Sequence, residues 1–318
     1  MSIMQKDTSV RKLMKGFWQV ADPKIWVAST IPLLSGAAIA WTFGSAVNPL
    51  GVLWFLLAVI GVYLVEIAKN ALNEVVDYQS GVDPSVDEQH TTPFSGGKKS
   101  IVQGHLSLTQ CLYIAVFCYF TAAALGAVLV LFAEPLVLWP GLAGFVFAVL
   151  YSMPPFKLCY RGFGEIAVGL AFGPAIVMGA YVLIAGRFDW LPLLVSLPIA
   201  FLIINVLWIN QFPDYEVDKA HNKKNGVVRL GKEKAVAVYA VLFALSYLSV
   251  IAVALYAGNM VWLLPLLTVP FAVKAVINCR RHKDDIGKLI ASNAATVHIY
   301  QLFGMFFVVS AVLDGLVF

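Results

Sequence analysis

Asn73-Glu-Val-Val-Asp77-Tyr78, where a long apolar run gives way to amide and acidic side chains, decides how this chain is read. The pattern returns once, as Asn210-Gln-Phe-Pro-Asp214-Tyr215-Glu-Val-Asp218, with the same 137-residue separation for the Asn pair and the Asp pair. Both copies read Asn-x-x-x-Asp-Tyr, and each closes a hydrophobic segment. Residues four apart share a helix face, so each copy is expected to offer an amide and a carboxylate side by side. Further carboxylates follow, Asp83 and Asp87 after the first copy and Asp218 in the second. Two such faces brought together supply hard oxygen ligands. Those suit Mg²⁺, which keeps waters and takes one or two carboxylates together with substrate phosphates.

The rest of the chain is a membrane protein. Apolar residues make up 60% of it, charged residues 13%, and the mean hydropathy is +0.82. Soluble domains carry about 25% charged residues, roughly twice as many. Nine apolar runs are long enough to cross about 30 Å of hydrocarbon as helices: about 24–42, 49–74, 109–132, 135–152, 163–186, 190–212, 234–257, 259–279 and 289–315. The expectation is therefore an all-α, polytopic bundle. Pro23, Pro49, Pro135 and Pro192 fall near the starts of runs, where a missing backbone donor costs little. Lys6, Arg11, Lys12 and Lys15 precede the first run with no short apolar region and small-residue cleavage site, so no cleaved leader is expected.

Charge sets the expected orientation. With a cytoplasmic N-terminus, Arg187 alone among 22 Lys and Arg falls in the links on the far side. In a prokaryote the location would be the plasma or inner membrane. Both Asn-x-x-x-Asp-Tyr copies then lie at the cytoplasmic ends of the second and sixth spans, each before a long polar loop. The loops have similar tails, Gly97-Lys-Lys-Ser-Ile-Val-Gln-Gly104 and Lys224-Asn-Gly-Val-Val-Arg-Leu-Gly231. The pattern reads as a parallel duplication within a single 1–318 domain, with halves at about 24–152 and 163–279 and an added helix at about 289–315. An inverted-repeat transporter would put its motifs at mid-membrane or on opposite faces. The charge distribution points to no nucleic acid, and the sequence is silent on oligomeric state.

Glu66, Asn70, Asn73 and Asp77 recur at steps of four, three and four, forming a polar stripe on one helix face; ionisable groups at that depth face a cavity or a partner. Asn293, Thr296 and Tyr300 share another face, expected either to line a cavity or to bond between helices. Tyr151-Ser-Met-Pro-Pro-Phe-Lys157-Leu-Cys-Tyr160-Arg161 is a short rigid turn that gathers two cations and two phenols, and Lys219 follows Asp218 directly. Lys157, Arg161 and Lys219 are the cations singled out. Lys98, Lys99, Lys223 and Lys224 need no role beyond the positive-inside bias. The four cysteines show no paired or metal-type spacing, and the five histidines are scattered.

These residues resemble the UbiA-type intramembrane aromatic prenyltransferases, most of all the branch that prenylates 1,4-dihydroxy-2-naphthoate in menaquinone synthesis. The resemblance spans nearly the whole chain. It rests on Asn73-x-x-x-Asp77 with Asp83, Pro93-Phe-Ser-Gly-Gly97, the Tyr151-to-Arg161 turn with Gly162-Phe-Gly-Glu165, and Asn210-Gln-Phe-Pro-Asp214-x-x-x-Asp218-Lys219. Glu74, where the commoner motif has Asp, and the spacing to Asp83 favour the naphthoate branch over the hydroxybenzoate one. Thr92 stands where related loops often carry Arg, so His90, Lys98 or Lys99 would have to substitute there.

The resemblance implies a nine-helix bundle with a lateral opening for lipid substrates. It implies that Asn73, Asp77, Asp83, Asp214 and Asp218 bind Mg²⁺ and prenyl diphosphate. Lys157, Arg161, Lys219 and Asn210 would contact the diphosphate. Asp77, Asp214, Tyr151 and Lys157 would form the catalytic set, with Tyr151 near the reacting carbon and Asp77, Asp83 or Glu165 as the base. The expected reaction is Mg²⁺-dependent transfer of a prenyl group to an aromatic quinone precursor through an allylic carbocation. The alternatives are a terpene cyclase or an enzyme for a non-aromatic lipid or tetrapyrrole acceptor on the same metal site, and, further off, a cation-coupled transporter.

Overall fold

The computed structural model describes residues 2–44, 50–86, 92–95, 97 and 99–317; Pro49, Asp87, His90 and Lys98 lie outside the described residues. Among those described, all regular structure is helical. Helix α1 (Ser2–Ala21) leads through a short turn into α2 (Val27–Phe43) and α3 (Gly51–Gln79), followed by one turn of helix, α4 (Val82–Ser85). Next come α5 (Leu108–Phe132), α6 (Leu138–Ser152), α7 (Gly164–Leu170), α8 (Ile176–Ala185) and α9 (Trp190–Asn210). Two short helices, α10 (Tyr215–Ala220) and α11 (Gly226–Leu230), precede α12 (Lys232–Ala257), α13 (Val269–His282) and α14 (Ile286–Val317).

Local chemistry explains the boundaries. Ser107 opens α5 with a reciprocal cap: its hydroxyl accepts from Gln110 N at 3.1 Å, and its own N donates to Gln110 Oε1 at 2.8 Å. Glu134 and Pro135 start the segment that becomes α6, with Glu134 Oε1 accepting from Leu136 N at 3.0 Å. α7 and α8 form one span, Gly164–Ala185, joined through a π-helical turn at Ala171–Ala175 that contains Pro174. A proline lacks the donor an α-turn needs, and the wider turn absorbs the defect.

Among the described residues, eight helices are long and apolar enough to cross a membrane, and α2, bent 48° from the helix before it, makes a ninth when the bent pair counts as one span. The bundle with eight to nine crossings matches the expected spans, with shifted ends. α3 continues to Gln79, beyond its apolar run, and α14 is longer than the run that signalled it. Exposed Phe120 (74%) and Leu255 (79%) sit on outward faces, as side chains do in hydrocarbon.

Helices α2, α8, α9, α12 and α14 supply most of the core. Small residues let them approach: a Cβ on Gly36 of α2 would lie 2.2 Å from the Val177 carbonyl oxygen of α8. Polar side chains bond across the helices. Asn205 Nδ2 donates to Tyr239 O at 3.1 Å, and Trp208 Nε1 to Ala235 O at 2.9 Å. Asn293 Nδ2 donates to Ile209 O at 3.2 Å, and Tyr300 OH to Ala28 O at 2.6 Å; Thr296 pairs with the Tyr239 hydroxyl. The Asn293–Thr296–Tyr300 face therefore fastens α14 to its neighbours, and it is not part of the large cavity described below. Such bonds contribute about 0.6 kcal/mol each in membrane bundles, so close packing carries more of the assembly. All four cysteines are buried and unbonded.

One large cavity, about 600 Å³, lies between α3, α5, α6 and the α7–α8 span. Its wall is almost wholly aliphatic and aromatic. Packing at Gly36 predicts that Gly36→Leu forces α2 from α8 and lowers the thermal midpoint in detergent. Gly287→Ala, where a Cβ meets only Asp285 Oδ1 at 3.6 Å, leaves the midpoint unchanged or raises it.

Candidate active site

Because α3 outruns its apolar stretch, Asn73 and Asp77 sit on its last two turns. The second copy behaves differently. α9 stops at Asn210, residues 211–214 turn, and α10 starts at Tyr215. Pro213 has no N–H to give, and it disfavours helical geometry in Phe212 before it. Asn210 and Asp214 thus do not share a helix face, which corrects the expectation drawn from their spacing. Asn210 Oδ1 instead accepts from Asn293 Nδ2 at 2.8 Å.

The two copies meet through a lysine. Asp77 Oδ1 accepts from Tyr160 OH at 2.6 Å and Oδ2 from Lys223 Nζ at 2.8 Å. Lys223 Nζ also stands 3.8 Å from Asp218 Oδ1. Asp218 Oδ2 accepts from Asn225 Nδ2 at 2.7 Å, while Asn225 Oδ1 caps α11 through Val228 N at 2.9 Å. The Tyr160 ring is flanked by two ammonium groups, Lys157 Nζ at 5.2 Å and Lys223 Nζ at 5.5 Å from its centre.

The loop after α4 closes the cluster. Asp83 is buried against Gly97, where a Cβ would lie 2.4 Å from Asp83 Oδ1 and φ is +74°, so only glycine fits. Thr92 Oγ1 accepts from Phe94 N at 3.1 Å and Ser95 N at 3.0 Å, building a turn whose Ser95 hydroxyl bonds Asp214. Glu74 Oε1 accepts from Ile101 N at 2.9 Å and ties the loop back to α3.

Crowding buried carboxylates makes them hold protons. Burial, then Asp77 and Glu74, push Asp83 up to about 8. Burial and Asp218 push Asp214 up to about 8, and burial, partly offset by Lys223, takes Asp218 to about 6. Burial opposes the charge on Lys223, but Asp77 and Asp218 outweigh it and hold the ammonium well above its usual range. Burial raises the Tyr160 phenol, with Asp77 adding to the effect.

The residues expected from the sequence divide into two groups. Asp77, Asp83, Asp214 and Asp218 come together, Lys157 borders them across Tyr160, and Tyr151 lies beneath at the cavity wall. Arg161 is exposed and gives its Nη2 to Pro155 O at 2.8 Å. Lys219 is exposed over the Tyr215 ring, 5.5 Å from its centre. Neither reaches the carboxylates. Glu165 Oε1 accepts from Gln211 Nε2 at 2.7 Å and Gly226 N at 2.8 Å, a bracket between α7, the end of α9 and α11. Lys99 Nζ reaches Val86 O at 3.4 Å.

The sequence reading passed over Lys223, the half-buried cation of the cluster. The available signal was Asn222, which takes φ +58° and turns the chain back so that Lys223 N meets Asp218 O at 2.8 Å.

Among the described residues, no three His, Cys, Asp or Glu side chains are set as ligands of a single ion. The donor set nevertheless fits a divalent cation. Asp77 and Asp218 flank one half-buried ammonium, Asp83 and Asp214 crowd the same cluster, and Asp214 Oδ1 is buried without a hydrogen-bond partner. All the side-chain oxygens on offer are hard ligands.

Comparison with known proteins agrees with this chemistry. The UbiA prenyltransferase family model matches residues 29–311. A 1,4-dihydroxy-2-naphthoate octaprenyltransferase of Bacillus subtilis is 26% identical, over 90% of this chain and 89% of its own. A 2-carboxy-1,4-naphthoquinone phytyltransferase of Synechocystis is 24% identical over 89% and 88%. The solved structure of a UbiA homolog from Archaeoglobus fulgidus bound to DMAPP and Mg²⁺ has the same fold, with TM-score 0.70, 17% identity, and coverage of 95% and 99%.

The raised carboxyl groups carry a sign. Between about pH 4 and 8 the folded chain holds protons on Asp83 and Asp214 that the unfolded chain releases. Stability in metal-free detergent should therefore fall as pH rises through that window. Denaturation followed from pH 5 to 9 should show this decline, and Mg²⁺ should flatten it by neutralising the same carboxylates.

Proposed function

The chain belongs to the UbiA prenyltransferase family, and from that premise we propose that it transfers a prenyl group from a prenyl diphosphate to an aromatic quinone precursor of the 1,4-dihydroxy-2-naphthoate type, with Mg²⁺. The observation that carries this reading is the joining of Asp77, from the first acidic motif, to Asp218, from the second, through Lys223, at the end of α3 whose preceding turns line a large apolar cavity. An anionic head and a long hydrocarbon tail match that pairing. A transporter reading has no such cavity-and-cluster polarity to support it.

Asn73, Asp77, Asp83, Asp214 and Asp218 would hold the metal, which when bound supplies positive charge to the leaving diphosphate. Lys223, with Lys157 beside it, offers further cations to the departing oxygens. The allylic C–O bond breaks with its electron pair on the diphosphate, and a π pair of the acceptor ring forms the new C–C bond. The ring then loses a proton or its carboxyl group. Tyr151 and the apolar wall orient the reactants and keep water from the allylic cation.

The arrangement of basic residues supports a cytoplasmic site. Among the described Lys and Arg, Arg187 stands at the opposite end of the bundle, paired with Asp189 at 2.7 Å. The matched position of the two motifs supports a parallel duplication of four spans with α14 added.

Asp77→Asn and Asp214→Asn should each lower turnover at least about 100-fold; Asp214→Asn keeps or raises the thermal midpoint, and Asp77→Asn, which takes one carboxylate from Lys223, lowers it while the protein still folds. A mass-spectrometric assay in lipid with prenyl diphosphates of several lengths, and with naphthoate, hydroxybenzoate, homogentisate or no acceptor, reads the result. Full activity in both variants, or in metal-free buffer with EDTA, would dismiss the metal site. Cyclised hydrocarbon formed without an acceptor would replace the transferase by a cyclase.

A further inference from the structure

The cavity between α3, α5, α6 and the α7–α8 span has an uneven wall. Of the described side chains that line it, only Ser29, Glu66, Lys69 and Tyr151 carry polar atoms. Glu66 and Lys69 stand one turn apart on α3, and the Ser29 hydroxyl from α2 donates to Glu66 Oε1. Lys69 Nζ lies 5.8 Å from the centre of the Tyr151 ring on α6. Asn73 and Asp77 follow Lys69 on α3 by one turn and two. The polar atoms thus gather at the end nearest the carboxylate cluster, and among the described residues Lys69 is the one cation in that wall.

An ammonium group at this depth is costly, and such residues mark the path or the binding place of a charged ligand. A hydrocarbon tail gives Lys69 nothing to bind. The diphosphate head belongs to the cluster two turns further along, where Lys223 and Lys157 already supply cations. The second substrate suits this end of the wall, where Lys69 stands over the Tyr151 ring. A flat ring fits against Tyr151, and an acidic group on that ring meets the ammonium in a charge-assisted pair. Glu66, engaged by Ser29, supplies the neighbouring negative charge that makes a cation tolerable among aliphatic side chains.

We propose that Lys69 binds the acidic substituent of the aromatic acceptor, sets its ring beside Tyr151, and so selects acceptors that bear a carboxylate. This rests on the prenyl-transfer reading and adds to it the residue and the substituent that decide acceptor choice.

The test uses Lys69→Met and Lys69→Arg, with 1,4-dihydroxy-2-naphthoate and its counterpart lacking the carboxylate. Two quantities are measured: the KM of each substrate with Mg²⁺, and direct calorimetric binding of each acceptor to metal-free protein. Wild type should prefer the carboxylate in both. Lys69→Met should weaken carboxylate binding and raise its KM about ten- to hundred-fold, erase the preference, and leave the KM for prenyl diphosphate in place. Lys69→Arg should restore the preference. Lys69→Gln serves where the Met variant does not fold.

Equal binding of the two acceptors to wild type overturns the proposal, as does a Met variant whose defect lies in the diphosphate KM. If wild type turns over no acceptor, the prenyl-transfer reading fails. The calorimetric arm then still decides the matter: carboxylate binding that survives loss of Lys69 overturns the assignment, and binding lost with Lys69 upholds it.

Discussion

Lys223, set 2.8 Å from Asp77 and 3.8 Å from Asp218, is the contact that makes two distant motifs one site. Without a cation between them, carboxylates drawn from α3 and α10 would repel one another in a medium that screens poorly. The ammonium is therefore as much part of the fold at this end of the bundle as part of its chemistry. Around it the supports are specific. Asn225 orients Asp218 and caps α11 with the two ends of one amide, and Tyr160 ties Asp77 to the turn after α6. Gly97 allows the polar loop to close over Asp83.

Beneath the cluster the chain changes its physical logic. Hydrogen bonds hold the polar end, while close helix contact holds the apolar body, as at Gly36 against Val177. Between these regimes the cavity places a hydrocarbon surface directly below a group of charges. A molecule with an anionic head and an apolar tail is satisfied only by having each part in its own region. The geometry orients such a molecule before any reaction takes place.

Most of the fold was legible because hydropathy in a membrane is close to a one-variable problem: long apolar runs have to become helices or leave their backbone groups unpaired. The first acidic motif was legible for a similar reason, since its spacing is helical and α3 continues through it. The second was misread in detail because Pro213 ends α9, so the four-residue step there spans a turn. Lys223 was missed because a rule based on charge and topology describes every lysine of the polar loops alike. Only the backbone turn at Asn222 distinguishes it. The Asn293–Thr296–Tyr300 face shows a limit of a different kind. Periodicity says that such a face is covered, but not whether a neighbouring helix or a cavity covers it.

The pairing of Asp77 with Lys223 joins residues 146 apart in sequence, and Tyr300 bonds Ala28 across 272. A ribosome delivers these partners far apart in time. The carboxylates of α3 are made and inserted before their counter-ion exists, and the last helix, once in place, locks onto one of the first. A chain stopped at its midpoint could anchor in the bilayer and yet have no assembled cluster. Assembly of the cluster thus comes at the end of synthesis, and a half-built copy lacks it.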